Sequence, residues 1–356
     1  VKRIKKISTQ SIAIIGSITI LLIISGCGKF DRSSIKMPEI KLVTSENLHS
    51  ISSVDCDHTW VCGNYGTILF SSDSGRTWQQ QESGVSEYLL GSIVFTDIKN
   101  GWAVGINGTV IHTADSGKTW VKQKSGTKSN LLDLCFVDPD FGWAVGEFGT
   151  VIHTADGGRT WVSQMEEQDA ILNDVFFVDR EVGWAVGEFG TIMHTIDGGR
   201  IWQPQYCRDI EPEISETEWE RPMPALYGIC FVDKAVGWIV GMDGVIIKTV
   251  DGGKNWKKLD LATDKPLYSI VIRGPKGIAV GCKGVYLESE DAGQTWKRKS
   301  EALKTKFWLR EISFTGNSGL IVGARGTVAR TDTGGETWEL ISGFSYDMEE
   351  FGLADF

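Results

Sequence analysis

The chain has 356 residues, with 36 Lys or Arg against 46 Asp or Glu and a net charge of −10. That balance excludes an ordinary nucleic-acid binder, because neutralising phosphates requires an excess of basic side chains. Its seven cysteines and five histidines include no CxxC and no Cys/His cluster at zinc-site spacing, so neither a metal nor a cofactor is expected.

Residues 1–26 have the pattern of a targeting segment. Lys2, Arg3, Lys5 and Lys6 precede an apolar run from Ile12 to Ile24 that is too short for a confident spanning helix. Ile24-Ser25-Gly26-Cys27 resembles a bacterial lipobox, in which Cys27 is lipidated after cleavage; an uncleaved anchor or a plain signal peptide is the other reading. Export follows, with a lipid anchor on the outer membrane or the outer face of the plasma membrane of a bacterial envelope. Loss of those four basic residues takes the net charge from −10 to −14. Residues 27–46 are polar and suit a tether. Export permits disulfides among the six remaining cysteines. Cys56 with Cys62 and Cys207 with Cys282 are the candidate pairs, while Cys135 and Cys230 have the pattern of small buried apolar residues.

From residue 47 to about 345 one phrase recurs: Gly-Trp-Ala-Val-Gly, a Gly-Thr-Val/Ile turn and strand, then Thr-x-Asp-x-Gly-x-Thr-Trp. Its closing tryptophans are Trp78, Trp120, Trp161, Trp202, Trp256, Trp296 and Trp338, spaced 42, 41, 41, 54, 40 and 42 residues apart. Seven β-rich units of this period predict an all-β fold, a seven-bladed β-propeller with four antiparallel strands per blade. In the third unit, strands are expected at 131–137, 142–146, 150–154 and 160–164, with the tight turn Glu147-Phe148-Gly149 between the second and third. Twelve of the 14 tryptophans fall in the two repeat columns, leaving Trp219 and Trp308 outside. His112, His153 and His194 share a third-strand column, one per blade, too far apart for one metal. Residues 346–356 form a tail that either clasps the first blade as a ring-closing strand or lies outside it.

The Thr-x-Asp-x-Gly-x-Thr-Trp phrase resembles the Asp-box, or BNR repeat, of sialidases, xyloglucanases and sortilin-like receptors. Its carboxylates, Asp73, Asp115, Asp156, Asp197, Asp251 and Asp291, are assigned to the turn, where they accept backbone N–H bonds, and not to catalysis. Thr333 replaces Asp in the last copy, which predicts a looser turn. Seven such repeats behind a lipobox-like leader resemble the photosystem II stability and assembly factor family over about residues 45–340. The resemblance implies a seven-bladed propeller that works in assembly or partner binding at a membrane.

In a propeller, the turn between strands two and three shares a face with the loop leading into the next blade. That places the turn residues Glu147, Glu188, Lys283 and Arg325 on one face. The insertion at about 203–224, with Trp219 and acids including Asp209 and Glu211, emerges there too, beside Glu166, Glu167 and Asp169. So does the basic loop into the seventh blade, with Lys304, Lys306, Trp308 and Arg310. The expectation is an electrically split docking face for a protein or peptide, on a monomer, with Trp308 as an aromatic anchor. A polar column, Ser50, Ser92, Asp133, Asp174, Gly228, Ser269 and Glu311, lies near the channel; it either hydrogen-bonds adjacent blades or forms a polar ring. The competing class is a glycoside hydrolase or carbohydrate-binding propeller, for which Asp133 and Asp174 would be the carboxylate pair. Against it, the chain lacks the sialidase Arg-Ile-Pro signature and holds one propeller instead of two.

Overall fold

Each repeat closes as one antiparallel sheet, because its apolar runs are short and bounded by glycine turns. The computed structural model describes residues 43–165, 168–212, 223–261, 263–299 and 301–343, all within the compact unit Ile40–Phe356. Numbered in chain order, strands β1 to β28 form seven four-stranded sheets, each in simple consecutive order. The third blade consists of β9 (Leu131–Phe136), β10 (Gly142–Gly146), β11 (Val151–Thr154) and β12 (Val162–Ser163). This agrees with the sequence reading to within a residue or two at the ends.

The innermost strands are β1 (Leu48–Ser53), β5 (Leu90–Phe95), β9, β13 (Leu172–Phe177), β17 (Leu226–Phe231), β21 (Leu267–Arg273) and β25 (Leu309–Thr315). Each packs against the next, and β25 packs against β1, so the seven-bladed propeller is closed. Every blade supplies its own four strands. The junction is reinforced by the segment before β1: Val43 N–H donates to Ser342 Oγ at 2.9 Å, Arg325 N–H to Asn47 Oδ1 at 3.0 Å, and Gly326 N–H to the Glu46 carbonyl at 2.7 Å. Cys27 and the 346–356 tail lie outside the described residues.

The Gly-Trp pair of the repeat is an inter-blade wedge. Trp143 is fully buried and stacks on Phe177 of the next blade at 3.6 Å, and its indole N–H donates to the Gly198 carbonyl at 3.0 Å. Trp60 with Phe95 and Trp184 with Phe231 repeat the stack at 3.7 and 3.6 Å. Such pairs add about 0.5–1.5 kcal/mol beyond the area they bury. The preceding glycine is required by space: a Cβ on Gly142 would lie 2.5 Å from the Phe136 ring.

The Asp-box turns behave as turns. Asp156 Oδ1 accepts the Thr160 N–H at 2.8 Å, its Oδ2 the Thr160 hydroxyl at 2.7 Å, and Thr154 donates to it at 2.9 Å. The expected loosening of the last copy is not found. Thr333 Oγ1 accepts the Thr337 N–H at 2.9 Å and pairs with the Thr331 hydroxyl at 3.1 Å, closing the same loop with one oxygen fewer. The suggested disulfides are likewise absent: Cys56, Cys62, Cys207 and Cys282 are unpaired. Cys56 lies in the exposed turn before β2 (Thr59–Gly63), whereas Cys62 is buried near that strand's far end. Cys207 is packed in the apolar core between blades four and five, away from the Cys282 turn of blade six.

Candidate partner-binding face

The channel mouth is built by a bulge at the start of every innermost strand. Pairing shifts between Leu48 and Ser50 in β1, and at the equivalent positions of all six other blades. A bulge re-aims the extra residue, and here His49, Tyr227, Tyr268 and Arg310 are among those turned into the central cavity. The cavity measures about 50 Å³, room for a few water molecules.

The residue after each bulge belongs to the polar column, and both readings of that column hold. Ser50 Oγ accepts the Ile93 N–H at 3.1 Å, Asp133 Oδ2 the Val175 N–H at 3.1 Å, Asp174 Oδ2 the Ile229 N–H at 2.8 Å, and Glu311 Oε2 the Ile51 N–H at 2.9 Å. Each bond runs to the next blade, so these four residues stitch four of the seven blade junctions. The same carboxylates line the cavity. Burial, then the neighbouring Asp133 charge and hydrogen bond, hold Asp174 well above the usual carboxylate range. Burial and the Asp133 charge push Glu311 up to about 7.

Around the mouth, Arg310 lies 5.5 Å over the Tyr268 ring. His49 bonds Asn64 Oδ1 at 2.8 Å and stacks on Trp308 at 5.8 Å. Burial holds the His49 imidazole below its ordinary range; the Asn64 bond raises it and the Arg310 charge lowers it. Trp308 is thus half-buried against His49, and its carbonyl accepts the Ala324 N–H at 3.0 Å.

The turns between second and third strands add an outer rim on the same face, each against the innermost strand of the following blade. All seven place two consecutive residues in the left-handed region, which makes them type I′ turns. The second residue is glycine. The first is not: Tyr65, Asn107, Phe148, Phe189, Asp243, Lys283 and Arg325 have φ between 52° and 58°. A non-glycine residue pays roughly 1–2 kcal/mol for that conformation. Three of them are large rings held in solvent, Tyr65, Phe148 and Phe189 at 67%, 55% and 61% exposure. The backbone strain is common to all seven turns, and three of them display an exposed aromatic ring on it.

Of the residues singled out from sequence, Glu147, Glu188, Lys283, Arg325, Lys304, Lys306, Trp308 and Arg310 all stand on this face. Glu147 Oε2 accepts from Asn130 at 2.9 Å, and the Arg325 guanidinium lies 5.1 Å over Phe307. Trp219, Glu166 and Glu167 lie outside the described residues. Asp209, in the described part of the insertion, accepts the Lys258 N–H at 3.2 Å. The sequence reading missed the channel-mouth residues His49, Tyr227 and Tyr268. It also missed the aromatic character of the turns, although Tyr65-Gly66, Phe148-Gly149 and Phe189-Gly190 signal it. The six Asp-box carboxylates lie on the opposite face, at the turns between third and fourth strands.

A family model described as photosynthesis system II assembly factor YCF48 matches residues 31–128, 120–205 and 255–343. Among solved structures, one described as YCF48 bound to D1 peptide is 22% identical with a TM-score of 0.67, covering 82% of this chain and 95% of that one. YCF48 from Cyanidioschyzon merolae is 19% identical with a TM-score of 0.67, covering 82% and 97%. An ancestral GH74 enzyme is 11% identical with a TM-score of 0.66, covering 85% of this chain and 48% of that one. At these identities the solved structures share the fold alone. No curated protein is significantly similar in sequence.

Proposed function

The chain belongs to the photosynthesis system II assembly factor YCF48 family, and from that premise we propose that it is a non-enzymatic, membrane-tethered propeller. It holds a polypeptide segment of a partner against the loop face during assembly or stabilisation of a membrane or envelope complex. The observation that carries this reading is the rim: exposed Tyr65, Phe148 and Phe189 on strained turns, on the same face as Lys283, Arg310 and Arg325. Aromatic rings and arginines are the side chains that dominate binding energy at protein interfaces. The YCF48 relative solved with a D1 peptide supports a peptide as the ligand class. The lipobox-like Ile24–Cys27 sequence supports attachment through a lipid on Cys27.

A photo-cross-linking residue at Phe148, Phe189 or Arg325 in intact cells is expected to capture one common polypeptide. The same probe at Arg159, on the Asp-box face, captures none. Charge reversal at Lys304, Lys306 and Arg310 lowers that capture about tenfold or more, and unchanged capture removes the proposal.

The hydrolase alternative rests on Asp133 and Asp174. Glycosidase acids stand roughly 5–9.5 Å apart with the sugar between them. Asp133 stands close enough to raise the Asp174 carboxyl, each also holds a backbone N–H, and the cavity beside them is about 50 Å³. Absence of released reducing sugar from plant and bacterial glycans is the expected result.

A further inference from the structure

The outermost strand of blade seven, β28 (Glu339–Ser342), runs antiparallel to β27 (Val328–Thr331) and so returns to the face carrying the Ala324–Gly326 turn. Its end is held there. Ser342 pairs with Val328, and Gly343 packs against Thr327, two residues past Arg325. The Arg325 guanidinium covers Phe307, which belongs to the loop that bears the exposed Lys304 and Lys306. The chain beyond Gly343 therefore sets out near Arg325, on the face that carries Lys304 and Lys306.

That continuation, residues 344–356, reads Phe-Ser-Tyr-Asp-Met-Glu-Glu-Phe-Gly-Leu-Ala-Asp-Phe. It has four carboxylates, at Asp347, Glu349, Glu350 and Asp355, no Lys or Arg, and apolar or aromatic residues between the acids. An extended chain spans about 3.3–3.6 Å per residue, so the four-residue step from Gly343 to Asp347 can cover about 13–14 Å. The sign of the charge and the aromatic content both match the sector beside which it starts.

We infer that residues 344–356 are a built-in occupant of the basic sector of the loop face, so that an incoming polypeptide docks there by displacing them. The ligand chemistry this sector accepts is then an extended acidic segment with interspersed aromatic residues. This rests on the reading of the loop face as the partner surface. Tethering makes the occupant effective even when it is intrinsically weak. A short flexible link gives an effective concentration on the order of 1 mM, so a segment with a Kd near 0.1 mM in free solution would hold a competitor back about tenfold.

The test uses the full chain and a fluorescent synthetic peptide of residues 344–356. Its binding is compared for the parent and for a full chain carrying Asp347→Asn, Glu349→Gln, Glu350→Gln and Phe351→Ala. The altered chain is expected to bind the peptide about tenfold more tightly, with affinity falling as salt rises. Adding Lys304→Glu and Lys306→Glu to the altered chain abolishes binding. Equal affinity for the two chains, no binding to either, or a tail-dependent dimer in sedimentation overturns the inference. Cross-linking of a partner through Phe148 that survives such a failure leaves the proposed function standing. Peptide binding that behaves as expected while no partner is captured sinks the function and leaves the inference.

Discussion

Replacing Glu311 by Gln should stabilise the propeller at alkaline pH and leave it nearly unchanged in acid. Burial and the Asp133 charge raise the Glu311 carboxyl from its ordinary 4.5 to about 7, so between those values the folded chain binds a proton that the unfolded chain has released. Stability is therefore greatest below about 4.5 and falls as the pH climbs to about 7. At roughly 1.4 kcal/mol per pH unit, the ionised side chain costs the fold about 3 kcal/mol at pH 8. Glutamine is nearly isosteric, and its carbonyl can still accept the Ile51 N–H that Glu311 Oε2 now accepts at 2.9 Å. It also removes one of the charges that bear on Asp174. Urea unfolding of the parent and the variant at pH 5 and pH 8 measures this. The midpoint should rise by about 1 M or more at pH 8, taking m near 2–3 kcal/mol per M, with little change at pH 5. A gain of the same size at both pH values would refute the assignment of that penalty to Glu311 ionisation.

Phe148→Gly relieves a left-handed backbone at an exposed ring, so stability should change by less than about 1 kcal/mol in either direction, while cross-linked partner capture falls; a large loss in thermal melting would contradict this. Ile201 is 62% exposed and stands where Thr160 and Thr295 give their Asp-box carboxylate a hydroxyl. Ile201→Thr should therefore raise stability by about 0.5–1.5 kcal/mol, read from the urea midpoint. Of the six propeller cysteines only Cys56 is exposed. Burial pushes Cys135 up to about 12 and Cys230 up to about 11. Intact-mass analysis after brief native maleimide treatment should thus show one adduct on the propeller, at Cys56.

The blades were legible because their signals are local and repeated. Alternating runs, Gly-Thr turns and Asp-box spacing each fix a structure within a dozen residues, and seven copies leave little choice of architecture. The face carrying Glu147, Glu188, Lys283 and Arg325 followed from the same connectivity. The partnership of Trp143 with Phe177 did not, because the rings are neighbours only once two blades pack. The error at Thr333 came from treating carboxylate and hydroxyl as different parts, when the turn needs an acceptor and either supplies one. The disulfide suggestions failed because sequence proximity of Cys56 and Cys62 says nothing about which end of a strand each occupies.

The sequence by itself determined the number of blades, their internal strand order and which face each turn would occupy, since all of these follow from short-range pattern and chain direction. The tertiary structure alone decided what the mouth is made of. The cavity into which Tyr227, Tyr268 and Arg310 turn, and the sharing of charge among Asp133, Asp174 and Glu311, arise only when seven sheets meet around one axis. Residues about 40 to 260 positions apart then become neighbours, and burial replaces water as their surroundings.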